Sequence, residues 1–378
     1  MTVLKLLERG AKTSLAIFAG MLLWRPGRRR PGALARPSKI LLVRIDDRLG
    51  ELLLLTPLLR QLKEAIIGAR VEVLVHRNRT NILGGHPDVD RVIPFEDRLL
   101  FLGPLAPGIR ALRRERYDAV VDCTNWTDPS VRSAIVSRLI GASSTVVGPA
   151  AFAVARLYSK AVAPREDTVS ELEQRVQLLS PLVPIDRLAR LTFRPPRPSK
   201  AIQPLLSSLR AAPYAVINPG GRLGWRRVPP SAFAAAANSL SAMGLRPVIT
   251  WGPGEGGLAR AVTNLAPASI LAPATDVDDL AALLNSAALT VCNNTGPMHL
   301  SVALGTPTLA FFVKMSPERW GHPYSPHRMV DLTSAVDAAE VDSRIRSEVT
   351  QFVQQLRASP AGAAANASGP GGAPRPPT

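Results

Sequence analysis

The sequence contains few of the residues that mark secreted, metal-binding or base-stacking proteins. It has only two cysteines, Cys123 and Cys292, with five histidines and 5% aromatic residues among 378 positions. Two thiols cannot build a disulfide framework and are not spaced as metal ligands, so a reducing compartment is expected. Basic and aromatic residues are not interleaved as a nucleic-acid platform requires. We therefore expect no metal, no cofactor and no nucleic acid partner.

Acidic residues are scarce as well. The chain has 29 Asp and Glu against 46 Lys and Arg, which gives a formal net charge of +17. This balance favours anionic partners, namely phosphate groups or an acidic membrane surface. An arginine-rich coding bias, consistent with the abundant alanine and proline, is the alternative explanation for part of the excess.

The N-terminal region lacks an apolar run long enough to span a bilayer. Residues 14–24 (SLAIFAGMLLW) are apolar, but a helix of that length rises only ~16 Å against a hydrocarbon core of ~30 Å. The following RPGRRR contains no small-residue cleavage site of a signal peptide. Basic residues on both sides predict that this stretch forms an interfacial helix on an anionic membrane, within a membrane-associating segment of residues 1–37. A helix packed on the protein itself is the alternative.

The remaining chain alternates strands and helices in two blocks. Strands are expected at 39–44, 71–75, 91–94, 117–122 and 145–147, and again at 214–218, 247–251, 270–271, 289–292 and 308–312. Helices are expected at 51–66 and 169–182 and, in the second block, from near Pro230, Glu255, Val277 and Thr295. This α/β pattern predicts two doubly wound sheets, with a ligand cleft between them at the carboxyl ends of the strands.

The composition also predicts domain boundaries. The first domain is placed at 38–195 and the second at 213–335, with a proline-containing linker at 196–212. A C-terminal helix is placed at 336–357. Residues 358–378 (ASPAGAAANASGPGGAPRPPT) have the composition of a disordered tail.

The segment 291–307 (VCNNTGPMHLSVALGTP) carries the sharpest chemical signal. A buried strand ends there, and Asn293 and Asn294 can cap the helix that follows. The free backbone N–H groups at Thr295 and Gly296 suit a phosphate or sugar oxygen. An ordinary capped helix with no ligand is the alternative interpretation.

Two further segments place charged groups after strands. In 216–233 (VINPGGRLGWRRVPPSAF), Arg226 and Arg227 follow a glycine-rich loop and can hold a diphosphate, or remain solvated loop arginines. In 41–52 (LLVRIDDRLGEL), Glu51 begins a helix and can serve as a general base. Acids at helix N-termini also complement the macrodipole, which is the structural alternative for Glu51.

Other patterns argue weakly for different chemistry. Gly252, Gly254 and Gly257 spell the G-x-G-x-x-G of a dinucleotide site, but they follow the second strand of their block rather than the first. An NAD-type oxidoreductase is therefore disfavoured. The D-x-D pairs at 88–90 and 276–278 fit a turn and a helix start better than a metal site.

Taken together and in order, these segments resemble the heptosyltransferase family of lipopolysaccharide core synthesis, glycosyltransferase family 9. The resemblance runs from Lys39 to Val330 and covers LLVRIDDRLGELLLLTPLLRQLK, HPDVDRVIPF, INPGGRLGWRRVPPSAF, WGPGE, DLAALLNSAALTVCNNTGPMHLSVALGTPTLAFF and PERWGHPYSPH. It implies a GT-B fold of two Rossmann-like domains. It also implies an inverting, metal-independent transfer from a nucleotide-sugar, typically ADP-heptose, to a lipid-anchored glycan at the cytoplasmic face of the inner membrane.

The resemblance assigns roles to individual residues. Glu51 falls on the catalytic Asp of the family, Arg226 on a phosphate-contacting Lys, and Glu255 on an acid that faces the nucleoside. The full set expected to bind the donor comprises Asn218, Gly220, Arg226, Arg227, Glu255, Asn294, Thr295, Gly296, Pro297 and His299.

Three departures from the family pattern leave alternatives open. Glu51 extends one methylene beyond the usual Asp, and the loop before it is one residue longer, so Asp46 and Asp47 are alternative bases. Asn294 stands where the family usually has Asp, so the donor sugar can differ. A catalytically degenerate scaffold that binds nucleotide or glycolipid is the alternative function.

Overall fold

The computed structural model describes residues 37–96, 105–151, 154–185, 189–335 and 337–359. The interfacial helix predicted within residues 1–37 and nearly all of the predicted tail lie outside this range. The chain divides into two compact units between Arg194 and Pro195. Each unit is built on one six-stranded sheet whose strand pairs are all parallel.

The sheet of the first unit has the strand order β3-β2-β1-β4-β5-β6. Its strands are β1 (Lys39–Arg44), β2 (Arg70–His76), β3 (Arg91–Phe95), β4 (Ala119–Asp122), β5 (Thr145–Pro149) and β6 (Lys160–Val162). Its helices are α1 (Leu49–Leu53), α2 (Thr56–Ala65), α3 (Thr80–Leu83), α4 (Pro107–Arg114), α5 (Val131–Ile140) and α6 (Glu171–Gln177). The order reverses between β1 and β4, and a crevice forms at such a point outside the carboxyl ends of the strands.

The single helix expected at 51–66 is wrong, because the chain forms α1 and α2 with a turn between them. The Thr56 hydroxyl donates to the carbonyl oxygen of Leu53 at 2.8 Å, and Pro57 has no N–H to continue the ladder of α1. Glu51 therefore lies on a helix of only five residues, directly after the β1 loop.

The sheet of the second unit repeats the same winding, with the order β12-β11-β10-β7-β8-β9. Its strands are β7 (Tyr214–Asn218), β8 (Arg246–Ile249), β9 (Ile270–Leu271), β10 (Leu289–Asn293), β11 (Thr308–Phe312) and β12 (Arg328–Asp331). Its helices are α7 (Gln203–Leu209), α8 (Pro230–Ala242), α9 (Gly256–Leu265), α10 (Val277–Asn285), α11 (Gly296–Ala303), α12 (Pro317–Trp320) and α13 (Ala338–Ala358). Here the order reverses between β7 and β10.

Two segments outside the second α/β block are attached to the second unit. In the stretch predicted as a linker, the backbone N–H of Ser199 donates to Asp279 Oδ1 at 2.7 Å, at the start of α10. From α13, Ile345, Val349 and Phe352 enter the same buried cluster as Phe233 of α8. Burial of these side chains stabilises the packing of α13 against α8.

The strands β6 and β12 are missing from the sequence prediction. Both lie at sheet edges, and neither has the continuous buried run of an interior strand. An interior parallel strand is covered on both faces and reads as an apolar run, whereas an edge strand need not. In the described part of the chain, no helix is long and apolar enough to cross a membrane.

Candidate functional site

Asn293 organises the loop that follows β7. It ends β10, its side chain is buried, and its Oδ1 accepts a hydrogen bond from the N–H of Val228 at 3.0 Å. Its Nδ2 donates to the carbonyl oxygens of Pro219 at 2.9 Å and Gly220 at 3.1 Å. One amide therefore fixes both ends of the loop at the reversal point of the second sheet.

Glu255 holds the same loop from the side of β8. Its Oε1 accepts from the N–H of Gly221 at 2.7 Å, and its Oε2 accepts from the N–H of Gly252 at 3.0 Å. A Cβ at Gly220 would overlap Glu255 Oε2, so only glycine fits there without a shift. The carboxylate expected to face a nucleoside is thus engaged in shaping the loop, and Arg227 lies 3.4 Å from it.

The turn at Thr295 lies against this loop. A Cβ at Gly221 would be 3.0 Å from the Thr295 methyl group and 3.6 Å from Arg227 Cγ. The helix α11 begins at Gly296 with Thr295 at the N-cap position, and Pro297 is in its first turn. No side chain caps it, so the prediction that Asn293 or Asn294 does so is wrong: the side chain of Asn293 is turned to the loop. The first-turn amides can therefore receive an anion.

The two arginines of the loop have different surroundings. Arg227 donates from Nε to the carbonyl oxygen of Gly221 and pairs with Glu255, so it is part of the loop framework. The guanidinium of Arg226 lies 4.4 Å from the ring centroid of Trp225, which is 52% exposed. Arg226 thus lies beside an accessible aromatic ring, in the same loop that touches Thr295.

Two residues expected in the donor site are buried beneath it. Asn218 donates from Nδ2 to the Thr250 hydroxyl at 3.1 Å, which links the ends of β7 and β8. The His299 ring is buried on α11, and its Nδ1 lies 2.8 Å from Nε2 of His322. Burial, with smaller contributions from neighbouring histidines, lowers the pKa of His322 to about 2, so this ring is neutral.

In the first unit, a network of charges occupies the carboxyl end of β1. Glu51 is buried, and its Oε2 pairs with Arg44 Nη2 at 2.8 Å and with Arg175 of α6. Burial opposes ionisation of Glu51, but the charges of Arg175 and Arg44 outweigh it and lower its pKa to about 2. Asp46 pairs with Arg44 Nε at 2.6 Å, and the half-exposed Asp47 pairs with Arg79. The structure therefore brings Asp46 and Glu51 onto one guanidinium and directs Asp47 to another.

Comparison with known proteins identifies the family. The sequence profile of glycosyltransferase family 9 (heptosyltransferase) matches residues 108–345, more than half of the chain. The chain belongs to glycosyltransferase family 9. Two curated relatives, both lipopolysaccharide heptosyltransferase 3 from Escherichia coli, are 25% and 24% identical over 280 and 276 residues. The alignments cover 70% of this glycosyltransferase and 80% or 79% of the relatives.

Solved structures confirm the GT-B fold of two Rossmann-like, doubly wound domains. A family 9 glycosyl transferase from Veillonella parvula superposes with a TM-score of 0.71 at 16% identity, covering 85% of this chain and 99% of the other. ADP-heptose heptosyltransferase II from E. coli superposes with a TM-score of 0.67 at 20% identity, and the match covers 85% of this chain and 100% of the other. E. coli heptosyltransferase WaaC with ADP superposes with a TM-score of 0.64 at 21% identity, and the match covers 84% of this chain and 99% of the other.

Two residues that the sequence prediction passed over, Arg44 and Arg175, shape the candidate site of the first unit of this glycosyltransferase. Asn293 was expected only as a helix cap, and its role in holding the loop after β7 was missed. Arg44 follows four apolar residues at the end of β1, and a charge after such a run was the available signal. Arg175 follows Glu171 by four residues on α6, but its contact with Glu51, 124 positions away, has no local signature. In the described ranges, no group of three or more His, Cys, Asp or Glu side chains could hold a metal ion.

Proposed function

We propose that this glycosyltransferase moves a heptose from ADP-heptose to a lipid-linked glycan such as lipopolysaccharide core. The names of the curated relatives and of the structures solved with ADP or ADP-2-deoxy-2-fluoro heptose support this donor and this acceptor class. The second unit binds the nucleotide-sugar, and the first unit binds the acceptor. None of these relatives favours the alternative of a catalytically degenerate scaffold.

The observation that carries the proposal is the contact of the Gly220–Arg227 loop with the Thr295 turn. The N-terminus of α11 offers backbone amides and the positive end of a helix dipole to a diphosphate. Arg226 supplies a full positive charge in the same loop. Charge that develops on the leaving diphosphate can thus be stabilised by protein groups, so we propose that the transfer requires no metal.

The reaction is an inverting displacement. A carboxylate at the end of β1, one of Asp46, Asp47 and Glu51, takes the proton of the acceptor hydroxyl. The hydroxyl oxygen forms the bond to the anomeric carbon. The bond from that carbon to the diphosphate oxygen breaks, and its electron pair leaves with ADP.

Ligand binding and turnover test the proposal separately. Thermal shift with ADP, GDP, UDP and dTDP should show stabilisation by ADP above the others, because a ligand that binds only the folded state raises apparent stability. Transfer from ADP-heptose to a lipopolysaccharide-core acceptor should persist in EDTA and invert the anomeric configuration. No stabilisation by ADP and no transfer would refute the assignment, and turnover that EDTA abolishes would refute metal independence.

We also propose that the enzyme binds peripherally to the cytoplasmic face of an anionic membrane. The basic residues of the sequence 1–37 support this. In the described part of the chain, α4 adds three exposed arginines, Arg110, Arg113 and Arg114, and Arg116 follows it. These four line a surface depression of about 530 Å³ with Leu105, which is 69% exposed. Clustered basic residues of this kind gain about 1 kcal/mol each near anionic lipid.

A further inference from the structure

The identity of the base can be argued from the pairing of the three carboxylates at the end of β1. A base is needed only if an acceptor hydroxyl is activated, so its identity rests on the proposed function. A base must reach the acceptor and must exchange its proton near the working pH. The structure gives the three candidates different access and different partners.

Glu51 meets these requirements poorly. Its side chain is only 8% exposed, and Oε2 is shared between the guanidinium groups of Arg44 and Arg175. The other oxygen lies 3.8 Å from Arg48 Nη1. A carboxylate held by three positive charges keeps its lone pairs engaged and binds a proton weakly.

Arg175 explains why Glu51 is held in this way. Its side chain is fully buried, and it also pairs with Glu171 Oε1 at 3.1 Å and donates to the backbone oxygen of Glu51 at 3.3 Å. A buried guanidinium needs counter-charges, and Glu51 and Glu171 supply them. Glu51 therefore fixes Arg175 and Arg44 in place.

The Asp46 side chain is more exposed than that of Glu51 and has fewer ion-pair partners. Its side chain is 30% exposed, and its single ion pair among the described residues is with Arg44 Nε. Its Oδ1 is shielded from solvent and has no hydrogen-bond donor in that part of the chain. Burial, the largest effect, and the charge of Glu51 raise the pKa of Asp46, while Arg44, Arg48 and Arg175 oppose the rise.

Asp47 is set apart by its partner. Its side chain is 48% exposed and pairs with Arg79, which forms no ion pair with the Arg44 network among the described residues. Its pairing with Arg79 directs it away from the Arg44 guanidinium that holds Asp46 and Glu51.

We propose that Asp46 is the catalytic base of this enzyme and that Glu51 is a positioning residue that acts through Arg44. Asp46 accepts the proton of the acceptor hydroxyl as the hydroxyl oxygen bonds to the anomeric carbon and ADP departs with the electron pair. Arg44 holds Asp46 in place from one side and Glu51 from the other. The longer loop of this chain puts the base before Gly50 rather than after it.

The test compares Asp46→Asn, Asp47→Asn and Glu51→Gln in the full chain, with the exposed Asp167→Asn as the matched control. Heptose transfer is measured as kcat and KM over a pH series, and ADP binding is measured by calorimetry. Asp46→Asn should lower kcat by at least about 100-fold with unchanged ADP affinity, and its residual activity should lose the acid limb of the pH profile. Asp167→Asn should behave as the native chain.

The pH profile separates a base from a positioning residue. The native acid limb should lie above the ordinary Asp pKa of 3.8. Glu51→Gln should move the limb to lower pH, because a negative charge that raises the pKa of Asp46 is removed. Should that variant not fold, Arg48→Gln serves instead and should move the limb to higher pH.

The outcomes are decisive in both directions. Asp46→Asn with kcat within threefold of native, or with an unchanged acid limb, overturns the assignment. Loss of transfer in Asp47→Asn rather than Asp46→Asn does the same. If the native chain binds no ADP and transfers no heptose, the proposed function fails instead. The native chain alone shows this result, whereas failure of the Asp46 assignment shows only in the variants.

Discussion

Glu51 gathers three guanidinium groups around one carboxylate, and this makes the first unit sensitive to acid. Its pKa falls from 4.5 to about 2 in the folded protein. Because the pKa of Glu51 is lower in the folded state than in the unfolded state, its ionised form stabilises the fold. This stabilisation is fully present above pH 4.5, the pKa in the unfolded state, and is lost as the pH falls towards 2. The shift corresponds to roughly 3 kcal/mol.

We therefore expect Glu51→Gln to lower the free energy of unfolding at pH 6 and to lower it much less at pH 3. The measurement is urea denaturation of both proteins across this range. The control is Glu64→Gln, since Glu64 forms an exposed pair with Arg60 that contributes little. An equal loss at both pH values would contradict the charge network as the source of stability.

Gly220 sets the distance between the loop and Glu255. An alanine there would overlap Oε2 of Glu255, and displacing that carboxylate would break its bonds to the amides of Gly221 and Gly252. Each charge-assisted bond is worth about 1.5–3 kcal/mol, so Gly220→Ala should weaken ADP binding by at least about tenfold.

Gly224 offers a matched control in the same loop, because a Cβ there would meet no atom within 4 Å. Gly224→Ala should keep the native dissociation constant for ADP in calorimetry. Equal effects of the two substitutions would show that the Glu255 contact does not shape the donor site.

At the scale of elements, the bounds of interior strands could be predicted from the sequence, whereas the break between α1 and α2 could not. The strands β1, β7 and β11 have the bounds expected from their apolar runs, because an interior parallel strand is covered on both faces. The break before α2 depends on one hydroxyl and one proline within a leucine-rich run, where apolar spacing alone predicts continuity. The role of Asn293 depends on contacts across more than 60 residues, which spacing cannot reveal.

The helix α4 is amphipathic, with a buried apolar face and an exposed basic face. Ile109 and Leu112 are buried, whereas Arg110, Arg113 and Arg114 are exposed. Replacing the three arginines by glutamine should reduce binding to vesicles that contain phosphatidylglycerol, with little effect on neutral vesicles, because the attraction is electrostatic. Flotation of the full chain measures this.

A second triple variant controls for net charge. Arg210, Arg260 and Arg346 are exposed on other elements, so their replacement by glutamine removes the same charge from elsewhere. Equal loss of vesicle binding in both triple variants would show a general charge effect and no role for α4. Retention of binding by the α4 variant would assign the attachment to residues 1–37.

At the scale of the whole molecule, the two units share the same winding of strands. This shared topology predicts which segments a bound ligand should protect from hydrogen exchange. Each sheet reverses its strand order once, between β1 and β4 and between β7 and β10. In the second unit, the reversal is surrounded by residues 219–228, the Gly252–Glu255 turn and the Thr295 turn, which contact one another. A ligand bound there should suppress local opening in these three segments together.

Hydrogen exchange with and without ADP should therefore show protection in residues 219–228, 252–256 and 293–298, and no protection at the end of β1. The reason is that the Asn293 and Glu255 side chains connect these segments, so opening one requires breaking bonds to the others. Asn293→Ala removes three of those bonds and should abolish the joint protection while leaving exchange in the first unit unchanged. Protection by ADP in the first unit alone would place the nucleotide at β1 and reverse the assignment of donor and acceptor to the two units.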